Sequence, residues 1–216
     1  MTAREDVLGR VRSALRQRSG HPSADSVFKG GDPADKRAKD PPGGDPVDLF
    51  AERVADYRAI VVRCGLDEVR DRVTDGLAGA ANVVVPEGFP EEWLADGVDR
   101  IRDDPPLAAT DLDAVAAVVT TAALGIAVTG TIVLDHGSGQ GRRALSLIPD
   151  RHVCVVTADQ VVHDVPDGVR RLDPLRPLTW ISGPSATSDI ELNRVEGVHG
   201  PRNLYVIVVD TTPTAA

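Results

Sequence analysis

Aromatic residues make up only 3% of this 216-residue chain: three Phe, two Tyr and two Trp. A chain of this length can bury a sizeable core, and that core must be built from Val, Leu, Ile and Ala. Basic charge is also short. Twenty-four Lys and Arg stand against 33 Asp and Glu, giving a net charge of -9. The positive potential that nucleic acid or an anionic membrane surface requires is missing, so neither is an expected partner. There are two cysteines, Cys64 and Cys154, in separate apolar runs. They form no Cys-x-x-Cys motif and cannot supply the four thiolates of an iron–sulfur cluster. Two buried free thiols are expected, and no cofactor or metal is assigned to the chain itself.

The N-terminal stretch MTAREDVLGRVRSALRQR has mixed charge and no continuous apolar segment. It does not read as a secretory signal. Residues 113–135 are apolar almost throughout, but Gly125, Gly130 and four threonines interrupt them. Two buried strands fit that stretch better than a membrane span.

What is present divides the chain in three. Residues 1–18 hold a helix pattern, with Val7, Leu8, Val11, Ala14 and Leu15 on one stripe. That stripe needs a cover: its own domain, a partner protein or a second copy. Residues 19–46 are rich in Gly, Pro, Asp and Lys, which reads as a flexible linker. From residue 47 to 212, apolar runs alternate with amphipathic ones. Helical spacing falls at 47–59 and 67–79, with a short helix near 90–95 and a further helix within 161–172. Strands are expected in AIVVRCG (59–65), ANVVVPEG (81–88), HVCVVTA (152–158), PLTWISG (177–183) and NLYVIVVD (203–210). The alternation predicts an α/β fold with a mainly parallel sheet.

Four stretches carry candidate chemistry. In TWISGPSATSDIEL (179–192), a strand runs into a crowd of small polar groups. Ser182, Gly183, Ser185 and Thr187 offer hydroxyls and close backbone approach to a ligand at the end of a strand. Asp189 and its neighbours serve equally well as a turn and helix cap. In GIAVTGTIVLD (125–135), Thr129, Gly130 and Thr131 read as a tight bend lining a pocket, or as a hairpin within the sheet. HGSGQGRRALSLIPD (136–150) is a glycine-rich loop in which Arg142 and Arg143 are placed to clamp a carboxylate or phosphate. It matches neither the Walker nor the Rossmann pattern. EGVHGPRNL (196–204) sets His199 and Gly200 in a turn before the last strand. His199 is a candidate acid, base or anion donor, and Glu191 is the candidate catalytic carboxylate. His152 is expected only to open a strand.

These four stretches, in this order, resemble the LUD-domain family, in its lactate utilization protein C branch (LutC, YkgG). The resemblance is strong over residues 110–210. Its Ser-Gly-Pro-Ser-x-Thr-x-Asp-Ile-Glu motif falls on Ser182, Gly183, Pro184, Ser185, Thr187, Asp189, Ile190 and Glu191. Its Val-His-Gly-Pro motif falls on Val198, His199, Gly200 and Pro201. The resemblance implies a three-layer α/β sandwich like the NagB/RpiA/CoA-transferase group. It also implies a cytoplasmic role in oxidising L-lactate to pyruvate with iron–sulfur partner proteins. One position departs: Val128 stands where the family usually has Glu. An autonomous CoA- or folate-type transferase using Glu191, and a non-catalytic interaction subunit, are the two alternatives.

Overall fold

The computed structural model describes residues 44–185 and 200–211. The expected helix at 4–18 and nearly all of the linker fall outside them. The first described element, α1 (Pro46–Asp56), starts one residue before the expected boundary. Asp45 caps it by accepting a hydrogen bond from the Val47 amide at 3.0 Å, and Pro46 occupies the first turn, where no amide is needed. Phe50 and Val54, four residues apart, form its buried stripe.

A six-stranded sheet follows, parallel at every pairing. Its strands are β1 (Ile60–Gly65), β2 (Asn82–Val84), β3 (Asp99–Ile101), β4 (Ala117–Thr121), β7 (Arg151–Thr157) and β10 (Asn203–Asp210), in the spatial order β1-β10-β7-β4-β2-β3. α2 (Val69–Leu77) packs Val69, Val73 and Leu77 on one face. α3 (Ala109–Asp113) precedes β4.

β10 shows why the strands read as unbroken apolar runs. Tyr205, Ile207 and Val209 join the core under α2, while Leu204, Val206 and Val208 join a second core on the opposite face. A strand covered on both faces has no polar side to reveal its period. Cys64 sits in the first core and Cys154 in the second, both as buried free thiols. Burial pushes Cys64 up to about 11 and Cys154 up to about 12, so both stay protonated at neutral pH.

The second face is not covered by helices alone. A smaller sheet of β8 (Val161–Val162), β5 (Leu124–Ile126), β6 (Thr131–Leu134) and β9 (Thr179–Ile181) lies there, in the order β8-β5-β6-β9, with α1 beside it. β6 is antiparallel to both its neighbours. Ile132 and Leu134 face the large sheet; Val133, with Leu124, Ile126 and Val162, forms a separate apolar cluster. α4 (Val165–Arg171) places Gly168 within 3.3 Å of Ile126 at the position a Cβ would take.

The mainly parallel α/β fold is therefore the one expected, with two additions. Residues 113–135 form three strands rather than two, and β9 belongs to the small sheet. A register of alternating apolar residues three or four long cannot by itself say which sheet receives it.

The small sheet is clamped to α1 by two glycines in left-handed conformation. Gly130 (φ 57°) lies so close to Arg53 that a Cβ would stand 2.6 Å from its carbonyl carbon, and at Gly183 (φ 94°) a Cβ would stand 2.5 Å from Tyr57 Cβ. Gly130→Ala meets both a rigid backbone and an unfavourable φ, and should cost about 2 kcal/mol. Urea denaturation measures this; an unchanged midpoint would show that α1 and the 127–130 turn are not in fixed contact.

Candidate functional site

The hydroxyl groups expected to meet do meet. Residues 127–130 make the turn of the β5–β6 hairpin, closed by the Gly130 amide donating to the Ala127 carbonyl at 3.2 Å. Thr129 Oγ1 and Thr131 Oγ1 are 2.8 Å apart, and Thr131 Oγ1 is 2.9 Å from Ser182 Oγ. The antiparallel register of β6 and β9 causes this: Ile132 pairs with Ile181, so the residues flanking them fall side by side. The Ser185 amide donates to the Pro201 carbonyl at 2.8 Å, which draws the Ser-Gly-Pro-Ser loop to the Gly200 turn.

A cavity of about 430 Å³ opens where these loops meet. Arg143, Ser146, His152, Thr179, Ser182 and Ser185 supply its polar wall, and Leu147, Leu178, Ile181 and Leu204 much of its apolar wall. Gly183, Gly200 and Pro201 complete the rim. Thr129, Gly130 and Thr131 stand behind Ser182 instead of lining the cavity: Thr131 orients the serine hydroxyl and Gly130 packs on α1. The cavity lies at the amino ends of β7 and β10, beside His152 and Leu204. The crevice beyond the carboxyl ends, where ligands usually sit in open α/β sheets, holds a second cavity of about 460 Å³. There Arg176 is paired with Asp135 at 2.9 Å, and Arg171 donates to the Asp159 carbonyl at 3.2 Å. Its cations are largely committed to the protein.

The two arginines of the glycine-rich loop part company. Arg142 is not a ligand clamp. Its Nε donates to Asp103 Oδ2 at 2.6 Å and its Nη2 to Asp103 Oδ1 at 3.0 Å and to the Leu107 carbonyl at 2.7 Å. Burial pushes the Asp103 carboxyl up, but Arg142 and the Leu107 amide outweigh it and hold the group below its ordinary range. Asp103, the residue that claims Arg142, lies 39 positions away, beyond any local spacing rule. Arg143 opens a single 3₁₀ turn, Arg143–Ser146, with its side chain exposed at the cavity. Among the described residues no ion pair engages it.

The loop before it is fixed by backbone bonds. The Gln140 carboxamide oxygen accepts from the amides of Asp135 (2.7 Å) and His136 (3.1 Å), and the Gly139 amide donates to the Glu87 carbonyl at 2.7 Å. His136 Nδ1 is 2.8 Å from the Gly141 carbonyl, which can only accept, so Nδ1 carries the proton and Nε2 accepts from the Thr179 hydroxyl at 3.0 Å. This holds one cavity hydroxyl in a set orientation.

Ser146, Thr179 and His152 line the cavity without having been singled out as candidates in the sequence, and the titratable one is His152. It is fully buried, yet it is part of the cavity wall. Its Nε2 lies 2.7 Å from Thr120 Oγ1, which lies 3.6 Å from Cys154 Sγ, which in turn lies 4.0 Å from the Thr121 carbonyl. The short member of this chain is the hydrogen bond shared by the Thr120 hydroxyl and the imidazole. Nδ1 is buried without a hydrogen-bond partner. The signal in the sequence was the one ring nitrogen pair inside the apolar run HVCVV; such a group must be satisfied or functional. Thr187, Asp189, Glu191 and His199 lie outside the described residues.

Burial pulls His152 down from 6.5 to about 4. Its folded pKa is depressed, so its neutral form favours the native state above pH 6.5, and that contribution is lost as pH falls toward 4. The loss should reach about 3 kcal/mol. Urea titrations across this pH window should therefore show a steeper decline for the wild type than for His152→Phe; parallel declines would place the titration elsewhere.

The LUD domain family model matches residues 101–209. "Lactate utilization protein C" of Deinococcus radiodurans is 52% identical over 164 residues, covering 74% of this chain and 77% of that protein. The protein of the same name from Halalkalibacterium halodurans is 36% identical over 101 residues, 43% of this chain and 44% of the relative. A crystal structure of a DUF162 family protein from Deinococcus radiodurans superposes with a TM-score of 0.68 at 45% identity, over 76% of this chain and 96% of that one. The chain belongs to the LUD domain family.

Proposed function

We propose that this chain serves lactate utilization, as a binding subunit of a system that oxidises L-lactate to pyruvate. It receives a small carboxylate in the cavity between Arg143, Ser182, Ser185 and His152. The observation that carries this reading is the exposed Arg143 guanidinium at the mouth of a pocket walled by hydroxyls. A chain with net charge -9 attracts anions only where a cation is left available. The relatives named for lactate utilization supply the pathway, and the bonded order Thr129–Thr131–Ser182 supplies a preset hydroxyl.

Electron transfer falls to partner proteins in this reading. The chain has only two thiols, one in each core and both held protonated by burial, so iron–sulfur clusters would be carried by those partners. Among the described residues no helix is long and apolar enough to cross a membrane, which is compatible with a cytoplasmic site of action.

Arg143→Ala should weaken L-lactate binding about tenfold or more, since it removes a charge-assisted bond. Stability should change by no more than about 0.5 kcal/mol, as expected for an exposed side chain. Titration calorimetry and urea denaturation measure the two; undiminished binding contradicts the site. In the host, deleting the gene should abolish growth on L-lactate and spare growth on glucose. Normal growth on L-lactate would contradict the role.

A further inference from the structure

We infer that the Arg143 cavity prefers an acid of the lactate type whose aliphatic side chain is longer than a methyl group, held by its carboxylate at Arg143 and by its hydrocarbon against the leucines. This rests on the proposed carboxylate site and extends it from a head group to a whole ligand. The first observation is size. The cavity measures about 430 Å³, within the roughly 300–1,000 Å³ that receives ligands several times larger than lactate. Lactate seated on Arg143 would leave most of that space to water.

The second observation is what surrounds the space. Leu147, Leu178 and Ile181 line it and are only half-buried, as are Pro184 and Pro201, and Leu204 joins them from β10. Leu178 packs on the outer apolar cluster of the small sheet, and Ile181 on the layer between the two sheets. Each nevertheless keeps apolar surface that the protein does not cover. Covering such surface with hydrocarbon is favourable in proportion to the area removed from water.

The third observation is the polar inventory. Among the described residues Arg143 is the one cationic side chain in the wall, since burial keeps His152 neutral at pH 7. The Ser146 hydroxyl donates to the Arg143 carbonyl at 3.2 Å, Thr179 is bonded to His136, and Ser182 to Thr131. One carboxylate is provided for and a second is not. A second acid, a phosphate or a sugar would lie desolvated against leucines with its polar groups unmet. An aliphatic chain meets no such penalty.

The test is calorimetry of the full-length protein with L-lactate, L-α-hydroxybutyrate, L-α-hydroxyvalerate and L-α-hydroxyhexanoate, which lengthen by one methylene at a time. Affinity should rise about three- to fourfold at each step, as expected for a methylene moved from water to an apolar wall. The heat-capacity change should grow more negative along the series. L-α-hydroxyglutarate, which ends the valerate chain in a second carboxylate, should bind about tenfold or more weakly than L-α-hydroxyvalerate. Amide shifts at Leu147, Leu178 and Ile181 should grow with chain length. Affinity that stays flat or falls along the series while L-lactate binds overturns the inference and leaves the carboxylate site standing. Equal affinity for the glutarate and valerate acids does the same. A rising series whose shifts gather at Ala123, Leu124 and Leu172, in the second cavity, also overturns it. If no acid of the series binds, the carboxylate site falls and the inference with it.

Discussion

The structure depends on covering both faces of β7 and β10. These strands sit at the centre of the large sheet, and each carries apolar side chains up and down. Helix α2 covers one face. The other is too broad for α1 alone, and the β8-β5-β6-β9 sheet completes the cover through Ile132 and Leu134. Burial of this surface is the main favourable term, so the small sheet's position is set by packing before any ligand is considered.

The site follows from that placement. Once β6 lies on the large sheet, antiparallel pairing brings β9 beside it and carries Ser182 to Thr131. The loop leaving β9 then overhangs the amino ends of β7 and β10. His152 enters the cavity wall because it is the second residue of β7, and it faces the same side as Cys154 and Val156. The polar group at the floor is thus an interruption of the apolar layer on that face. The ladder from His152 through Thr120 to Cys154 is how the interruption is made tolerable on three of its four polar atoms.

Much of this was legible in the residues. α1, α2, β1, β7 and β10 stand out because their spacing or length is long enough to show a period. Ser182, Ser185, Gly200 and Arg143 were legible as candidates because small polar groups and a cation after apolar runs need a purpose, and the fold brings all four to one cavity. The small sheet was not legible. β5, β8 and β9 are three, two and three residues long, and strands that short acquire their partners from tertiary packing. Arg142 and Arg143 look alike in sequence; only Asp103, drawn near by the fold, separates them. His152 looked like a strand opener because nothing local distinguishes a satisfied histidine from one with a nitrogen left over. The carboxyl-end rule for parallel sheets points to the other cavity, where Arg176 and Arg171 are engaged within the protein.

Two cavities of similar size lie among the described residues, and one measurement separates them. Amide proton–nitrogen spectra of the full-length protein should be recorded while L-lactate is added. Shifts concentrated at Ser182, Gly183, Ser185 and Gly200, with Gly137, Ser138 and Gln140 unmoved, are the result expected of a receptor at the amino ends of β7 and β10. Shifts confined to Gly137, Ser138 and Gln140, or no shifts anywhere, would contradict it.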